Sequence, residues 1–315
     1  MATLRAVRFS DTGVAAWGER LADGIARGMQ LEKGMLQVAL CTVLAGGHLL
    51  LEDRPGVGKT QLARSLATSI DGRFARIQGT VDLLPTDILG TTIWRASAET
   101  FEFHPGPIFA NIVLVDELNR TTPKTQSGLL EAMAELQVSV EGKAHPLPRP
   151  FTVVATQNPT AGFDGTYALP PAQLDRFMTR LSLGYPSAGA EADLLDSPPA
   201  PALAPVTHLD EVSEAIAAVA EVEARRPLLE YIVALLDATR RHPLSEAGAS
   251  PRGGLMLLAA ARAHAALAGR DFVVPDDVQA LAAPVLAHRI QTVGGVAAEA
   301  QMAIVEDALE EVPAR

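Results

Sequence analysis

The string Pro55-Gly56-Val57-Gly58-Lys59-Thr60 constrains this chain more than any other feature. It is the tail of the pattern G-x-x-x-x-G-K-[ST]. It stands between an apolar run of strand length, His48–Glu52, and a helix-forming stretch, Thr60–Ile70. Small residues let backbone N–H groups close around a polyphosphate, and the N-terminus of the following helix adds partial positive charge. Lys59 is placed to reach the β- and γ-phosphates, and the Thr60 hydroxyl to meet a magnesium ion. Pro55, Gly56, Val57, Gly58, Lys59, Thr60 and Gln61 are therefore the predicted nucleotide-binding set. One position departs from the pattern: where it opens with glycine, this chain has Asp53.

The rest of the chain is organised around that junction. Asn111–Val115 and Phe151–Thr156 are short apolar runs with few polar interruptions, as in parallel strands buried on both faces. The helical stretches Thr60–Ile70 and Lys124–Glu135 alternate with them, which predicts an α/β fold with a parallel sheet. Residues up to about Ala45 read as helical. Leu36, Leu40, Val43 and Leu44 share one face there, and Gly46-Gly47 is the stop. Two segments read as β-hairpins inserted into this core. One is Gln137–Val140 and Lys143–Leu147 around Glu141-Gly142, and the other is Ile93–Phe103.

The 315 residues exceed the roughly 250–300 at which a single hydrophobic core usually splits, so two packed units are expected. Pro186, Pro198, Pro199, Pro201 and Pro205 punctuate an alanine-rich stretch that marks the division. The predicted units are a nucleotide-binding core over 1–186, a linker over 187–206 with a short helix near 191–196, and a second unit over 207–315. The second unit reads as helical throughout. One helix starts at Arg226-Pro227, and others run over Pro251–Ala268, Pro275–Ile290 and Val296–Glu311. Within it, Leu255, Leu258 and Arg262 read as a packing stripe rather than a binding groove.

Four further strings carry chemistry. NIVLVDELN ends an apolar strand in Asp116-Glu117, where Asp116 can hold the water shell of magnesium and Glu117 can polarise an attacking water. TVVATQNP presents Asn158, whose amide either orients that water or merely serves a turn before proline. In LPPAQLDRF, Arg176 follows Asp175, so it is either half of a local ion pair or an arginine finger given to a neighbouring subunit. In ASPRGG, Arg252 near a helix start either contacts nucleotide or is solvated. The predicted catalytic residues are Lys59, Glu117, Asn158 and Arg176. The predicted metal residues are Thr60 and Asp116.

Several classes are disfavoured. The net charge is −11 and no stretch concentrates Lys and Arg, which argues against a protein that tracks duplex nucleic acid. The single cysteine, Cys41, sits in an apolar run and cannot form an internal disulfide. The longest apolar run, Leu36–Leu51, is interrupted and short of a membrane span, and the N-terminus has no signal-peptide core. A cytoplasmic protein without membrane insertion is expected. The histidines show no metal-ligand spacing, so no metal beyond magnesium is expected.

These elements, in this order, resemble the AAA+ ATPases and specifically the MoxR family. The resemblance spans about Gly46 to Ile290 and rests on AGGHLLLED, RIQG with DLLPTDILG, GPIFANIVLVDELNR, PKTQSGLLEAMAE, PFTVVATQNP, GTYALPPAQLDRF, GASPR, AGRDFVVPDDV and VLAHRI. It implies an AAA+ P-loop core of three layers (αβα) with β-hairpin insertions and a C-terminal all-α lid. It implies that Gly56, Gly58, Lys59 and Thr60 are Walker A, that Asp116 and Glu117 are Walker B, and that Asn158 is sensor 1. It likewise makes Arg176 the arginine finger and Arg252 sensor 2. The cofactors it implies are ATP and Mg²⁺, and the assembly a homo-oligomeric ring, usually a hexamer. The role it implies is chaperone-like remodelling or maturation of protein complexes, including cofactor or metal insertion, with a partner carrying a von Willebrand factor A (VWA) domain and a protein client. A chelatase-type metal-insertion subunit, a nucleic-acid-dependent motor and a nucleotide switch with negligible turnover are the alternatives. Three strings depart from the family pattern: Gln30-Leu31-Glu32 near the adenine, Gly79 and Val81 in RIQGTVD, and Gly162-Phe163-Asp164 before GTY.

Overall fold

The computed structural model describes residues 13–29, 31–53, 56–158, 166–185, 203–295 and 298–314, with 189 and 196 singly. Pro55, Gln30 and most of the Pro/Ala stretch fall outside the described residues, as do Gly162-Phe163-Asp164 and most of the short helix expected near 191–196.

The chain begins with α1 (Gly13–Ala26) and α2 (Lys33–Leu44), then enters β1 (Leu49–Glu52) and α3 (Lys59–Ser69). After β2 (Phe74–Gln78) and the short α4 (Pro85–Leu89), β3 (Gly90–Arg95) and β4 (Thr100–Pro105) form the first hairpin. β5 (Ile112–Asp116) and α5 (Pro123–Glu135) lead to the second hairpin, β6 (Gln137–Val140) and β7 (Lys143–Pro146). β8 (Thr152–Gln157), α6 (Pro171–Leu174) and β9 (Thr179–Leu181) complete the core. The central sheet has the order β2-β5-β8-β1-β9, and all of its pairings are parallel. Every residue of β5 is buried, as two-sided coverage of a central strand requires.

Both expected hairpins are present. Two strands, β2 and β9, were not legible as apolar runs, because they are the sheet's edges and carry polar residues such as Arg76, Gln78 and Arg180.

The second unit holds α7 (Leu209–Ala220), α8 (Arg226–Arg241), α9 (Pro251–Leu267), α10 (Pro275–Leu286) and α11 (Ala298–Glu311). It is not helical throughout: β10 (Ser245–Ala247) pairs antiparallel with β11 (Gln291–Thr292) and ties two interhelical connections together. The packing stripe holds at Leu258, which packs against the core, and fails at Leu255. Leu255 is 70% exposed, because α9 turns its alanine face (Ala260, Ala261, Ala263, Ala265) inward instead.

The two units share apolar core. One continuous cluster joins Trp17, Leu21, Leu40 and Leu62 to Leu257, Ala261, Leu281 and Val285 of the lid, while a second cluster under the other sheet face gathers Val113, Leu129, Val153 and Phe177. The small side chains of α9 let it lie close against α1 and α2. Trp17 adds a buried hydrogen bond from Nε1 to Thr207 Oγ1 at 2.8 Å. Cys41 is fully buried here, and burial raises its thiol pKa far above the ordinary value.

Candidate active site

The site lies at the carboxyl ends of the parallel strands, where α/β sheets bind ligands. Register brings it together. Glu52 lies beside Gln157, so the loop after β1 meets Asn158, and Gln78 lies beside Asp116, so the edge strand meets the acidic pair. A cleft of about 360 Å³ is lined by Asp53, Gly56, Gly58, Lys59, Thr60, Gln61, Arg76, Gln78, Asp116, Glu117, Thr156 and Asn158.

The phosphate loop has the backbone its glycines allow. Gly56 and Gly58 adopt φ of 90° and 92°, and Gly58 is the N-cap of α3. A side chain at either would be strained. Lys59 donates from Nζ to the Asp53 carbonyl at 2.7 Å, which holds the ammonium over its own loop. Burial lowers the Lys59 pKa, and the charges of Asp53, Asp116 and Glu117 oppose that shift. Gln61 donates to the Gly28 carbonyl at 2.9 Å, fastening the start of α3 to the end of α1. Val57 does not line the cleft; its side chain packs against the larger core cluster.

Asp53 has a definite task. Its backbone is not in the left-handed region, so glycine is not required there. Its carboxylate accepts from the Ser182 hydroxyl at 2.8 Å and from the backbone N–H groups of Leu183 at 2.5 Å and Gly184 at 3.2 Å. The start of the phosphate loop is thereby tied to the segment leaving β9.

The acidic pair is held from the edge strand. Arg76 Nε lies 2.7 Å from Asp116 Oδ2, and Gln78 Nε2 lies 3.3 Å from Glu117 Oε2. Arg120 also pairs with Glu117, at 2.9 Å. Glu117 sits at φ 54°, ψ 48°, a costly conformation for a side-chain-bearing residue, and its N–H donates to Thr156 Oγ1 at 2.9 Å. The strand end runs so close that a Cβ on Gly79 would lie 2.3 Å from the Glu117 carbonyl oxygen. Reading the sequence by motif missed Arg76 and Gln78. The available signal was their alternation in Arg76-Ile77-Gln78, which puts both on one strand face.

Two predicted residues lie elsewhere. Neither Arg176 nor Arg252 lines the cleft of its own chain. Arg176 donates to the Leu130 carbonyl on α5 at 3.3 Å, and Arg252 lies 3.7 Å from Asp175. Arg252 thus stands beside Asp175, outside the lining of its own cleft. The lid packs on the face bearing α1 and α2, and that packing carries the start of α9 to Asp175 instead.

The parallel sheet, the loop capping α3 and the acidic pair beside it define an AAA+ P-loop ATPase with a helical lid. A profile for the ATPase family associated with various cellular activities (AAA) matches residues 48–179, and one for the AAA lid domain matches 237–312. The chain is 48% identical to YeaC of Bacillus subtilis over 86% of each protein. It is 41% identical to the chaperone MoxR1 of Mycobacterium tuberculosis over 81% of this chain and 71% of that one. Its fold matches a crystal structure of a Cytophaga hutchinsonii protein assigned as an ATPase, with a TM-score of 0.85 and 34% identity over 96% of this chain and 97% of that one. This chain belongs to the MoxR family of AAA+ ATPases. No helix among the described residues is long and apolar enough to cross a membrane.

Proposed function

We propose that the chain hydrolyses ATP between the subunits of a ring and uses the cycle for chaperone-like remodelling of protein clients. The observation that carries the catalytic part is the convergence of Lys59, Thr60, Asp116, Glu117 and Asn158 on one cleft. Gly56, Gly58 and the N-terminus of α3 cradle the phosphates, and Lys59 exchanges the Asp53 carbonyl for phosphate oxygen. Glu117 takes the proton of the attacking water, and Asn158 orients that water. The donor set suits magnesium, since Thr60 and Asp116 line the same cleft and offer hard oxygen ligands. Magnesium would be held by those residues and would neutralise charge on the β- and γ-phosphates.

Arg176 and Arg252 act on a neighbour's nucleotide in this reading. Neither lines its own cleft, and Asp175, next to Arg176 in sequence, lies 3.7 Å from Arg252. The remodelling role rests on kinship with a chaperone-named relative. The VWA partner and any metal or cofactor insertion rest on the family resemblance alone, and a cytoplasmic site of action agrees with the need for ATP. The hairpin β6–β7 offers few cations, which keeps a nucleic-acid motor the weaker reading.

The decisive experiment measures ATP hydrolysis per subunit over a wide protein concentration range. Specific activity that climbs with concentration supports a site completed between subunits. A Glu117→Gln variant that turns over ATP as fast as the parent would overturn the assignment of the base.

A further inference from the structure

Asp116 is a buried carboxylate of the cleft, and it already has a cation. Its side chain is 10% exposed, and Arg76 pairs with it at 2.7 Å from the edge strand. A buried carboxylate without a partner is costly, and Arg76 supplies the counter-charge. The nearby Lys59 ammonium hydrogen-bonds the Asp53 carbonyl instead. Arg76 itself is half exposed, on a long side chain that lines the cleft, so leaving Asp116 would return its guanidinium to water. The Thr156 hydroxyl meets the other Asp116 oxygen at 3.4 Å and keeps the carboxylate oriented whichever cation it faces.

We propose that Arg76 is a positioning residue that occupies Asp116 in the empty site and must be displaced when magnesium arrives with nucleotide. This rests on the ATP-binding reading of the cleft. The guanidinium and a hydrated magnesium ion compete for one carboxylate face. The pair therefore keeps free magnesium out of the empty cleft and sets the magnesium concentration at which the nucleotide complex forms. Gln78, two residues on and on the same strand face, holds Glu117 in parallel, so the edge strand supplies one partner to each acid.

The test is an equilibrium titration of Mg²⁺ against a fluorescent, non-hydrolysable ATP analogue, read as analogue binding rather than turnover. The chains compared are the full-length parent, Arg76→Ala, Asp116→Asn and the double variant. Loss of the competitor in Arg76→Ala lowers the free Mg²⁺ at half-saturation by roughly threefold to tenfold, the range of exposed to half-buried charged pairs. In the Asp116→Asn background the same substitution has no further effect. An unchanged or raised midpoint overturns the proposal. So does an equal drop in the Asp116→Asn background, which would mark a general field effect, or weaker binding in EDTA, which would make Arg76 a phosphate ligand. If Arg76→Ala fails to fold, Arg76→Gln carries the measurement. A parent chain that binds no analogue refutes the ATP-site reading itself, which is a different outcome from a parent that binds and a variant that does not shift.

Discussion

Asp175 of the core and Arg289 of the lid form a part-buried ion pair, Oδ1 to Nε at 2.9 Å, and the Arg289 side chain is 1% exposed. Arg289 also donates to the Phe177 carbonyl at 2.6 Å and the Met178 carbonyl at 3.2 Å. Ser250 adds a hydrogen bond to the same Asp175 oxygen at 3.2 Å. The residue beside Arg176 is thus gripped by the lid of its own chain.

Asp175→Ala leaves the Arg289 guanidinium buried without its counter-charge. The expected loss is about 3–5 kcal/mol, seen as a lower denaturant midpoint. Burial pulls the Arg289 pKa down to about 10, and Asp175 opposes that shift. A midpoint equal to the parent's would mean that the backbone carbonyls alone satisfy Arg289.

Arg176→Ala is expected to keep nucleotide binding and lose turnover by a factor on the order of 10³ or more. Mixing it with Lys59→Ala restores some hydrolysis if the arginine completes a neighbour's site. A mixture as inactive as its parts, with assembly intact, would place Arg176 outside the reaction.

Restoring the pattern's glycine through Asp53→Gly should weaken this protein, against the expectation from the motif. The substitution deletes acceptors for Ser182, Leu183 and Gly184, and loses about 2 kcal/mol if part of that set goes unsatisfied. Thermal unfolding with and without nucleotide measures both the loss and the looser loop. A more stable variant would show the carboxylate to be dispensable.

Gly79→Ala presses on the backbone of the acidic pair, since the new Cβ has no room beside Glu117. Turnover should fall at least tenfold while analogue binding changes little, because the phosphate loop is not touched. Equal losses in both would mean that the whole cleft had been disturbed.

Stability should decline as pH falls from about 6.5 toward 4. His48 is buried, accepts from the Val153 N–H at Nδ1 and faces the Met133 carbonyl with Nε2, so it is held neutral. Burial lowers its pKa to about 4. The folded state therefore binds fewer protons than the unfolded chain in that window, and the cost reaches about 3 kcal/mol at the acid end. His288, also buried, is shifted in the same direction by burial and by Arg289. His48→Gln can keep both hydrogen bonds, and it should flatten the slope of denaturant stability against pH; an unchanged slope would assign the acid sensitivity to other groups.

The sequence by itself determined the nucleotide loop, the acidic pair after β5, both hairpins and the helices of the lid. Each is a local matter: a turn that needs glycine, an apolar run of strand length, a proline at a helix start. The strands β2 and β9 were hidden because edge strands need no apolar pattern, and the β10–β11 pair because its partners are far apart in sequence. Tertiary structure alone decided which side chains meet. It gave Asp116 its Arg76, Asp53 its grip on the segment after β9, and Asp175 its Arg289. It also set Arg252 beside Asp175 by packing the alanine face of α9 on α1 and α2. Those pairings join residues distant along the chain, and only the register of the sheet and the packing of the lid set them close enough for charge and hydrogen bonding to act.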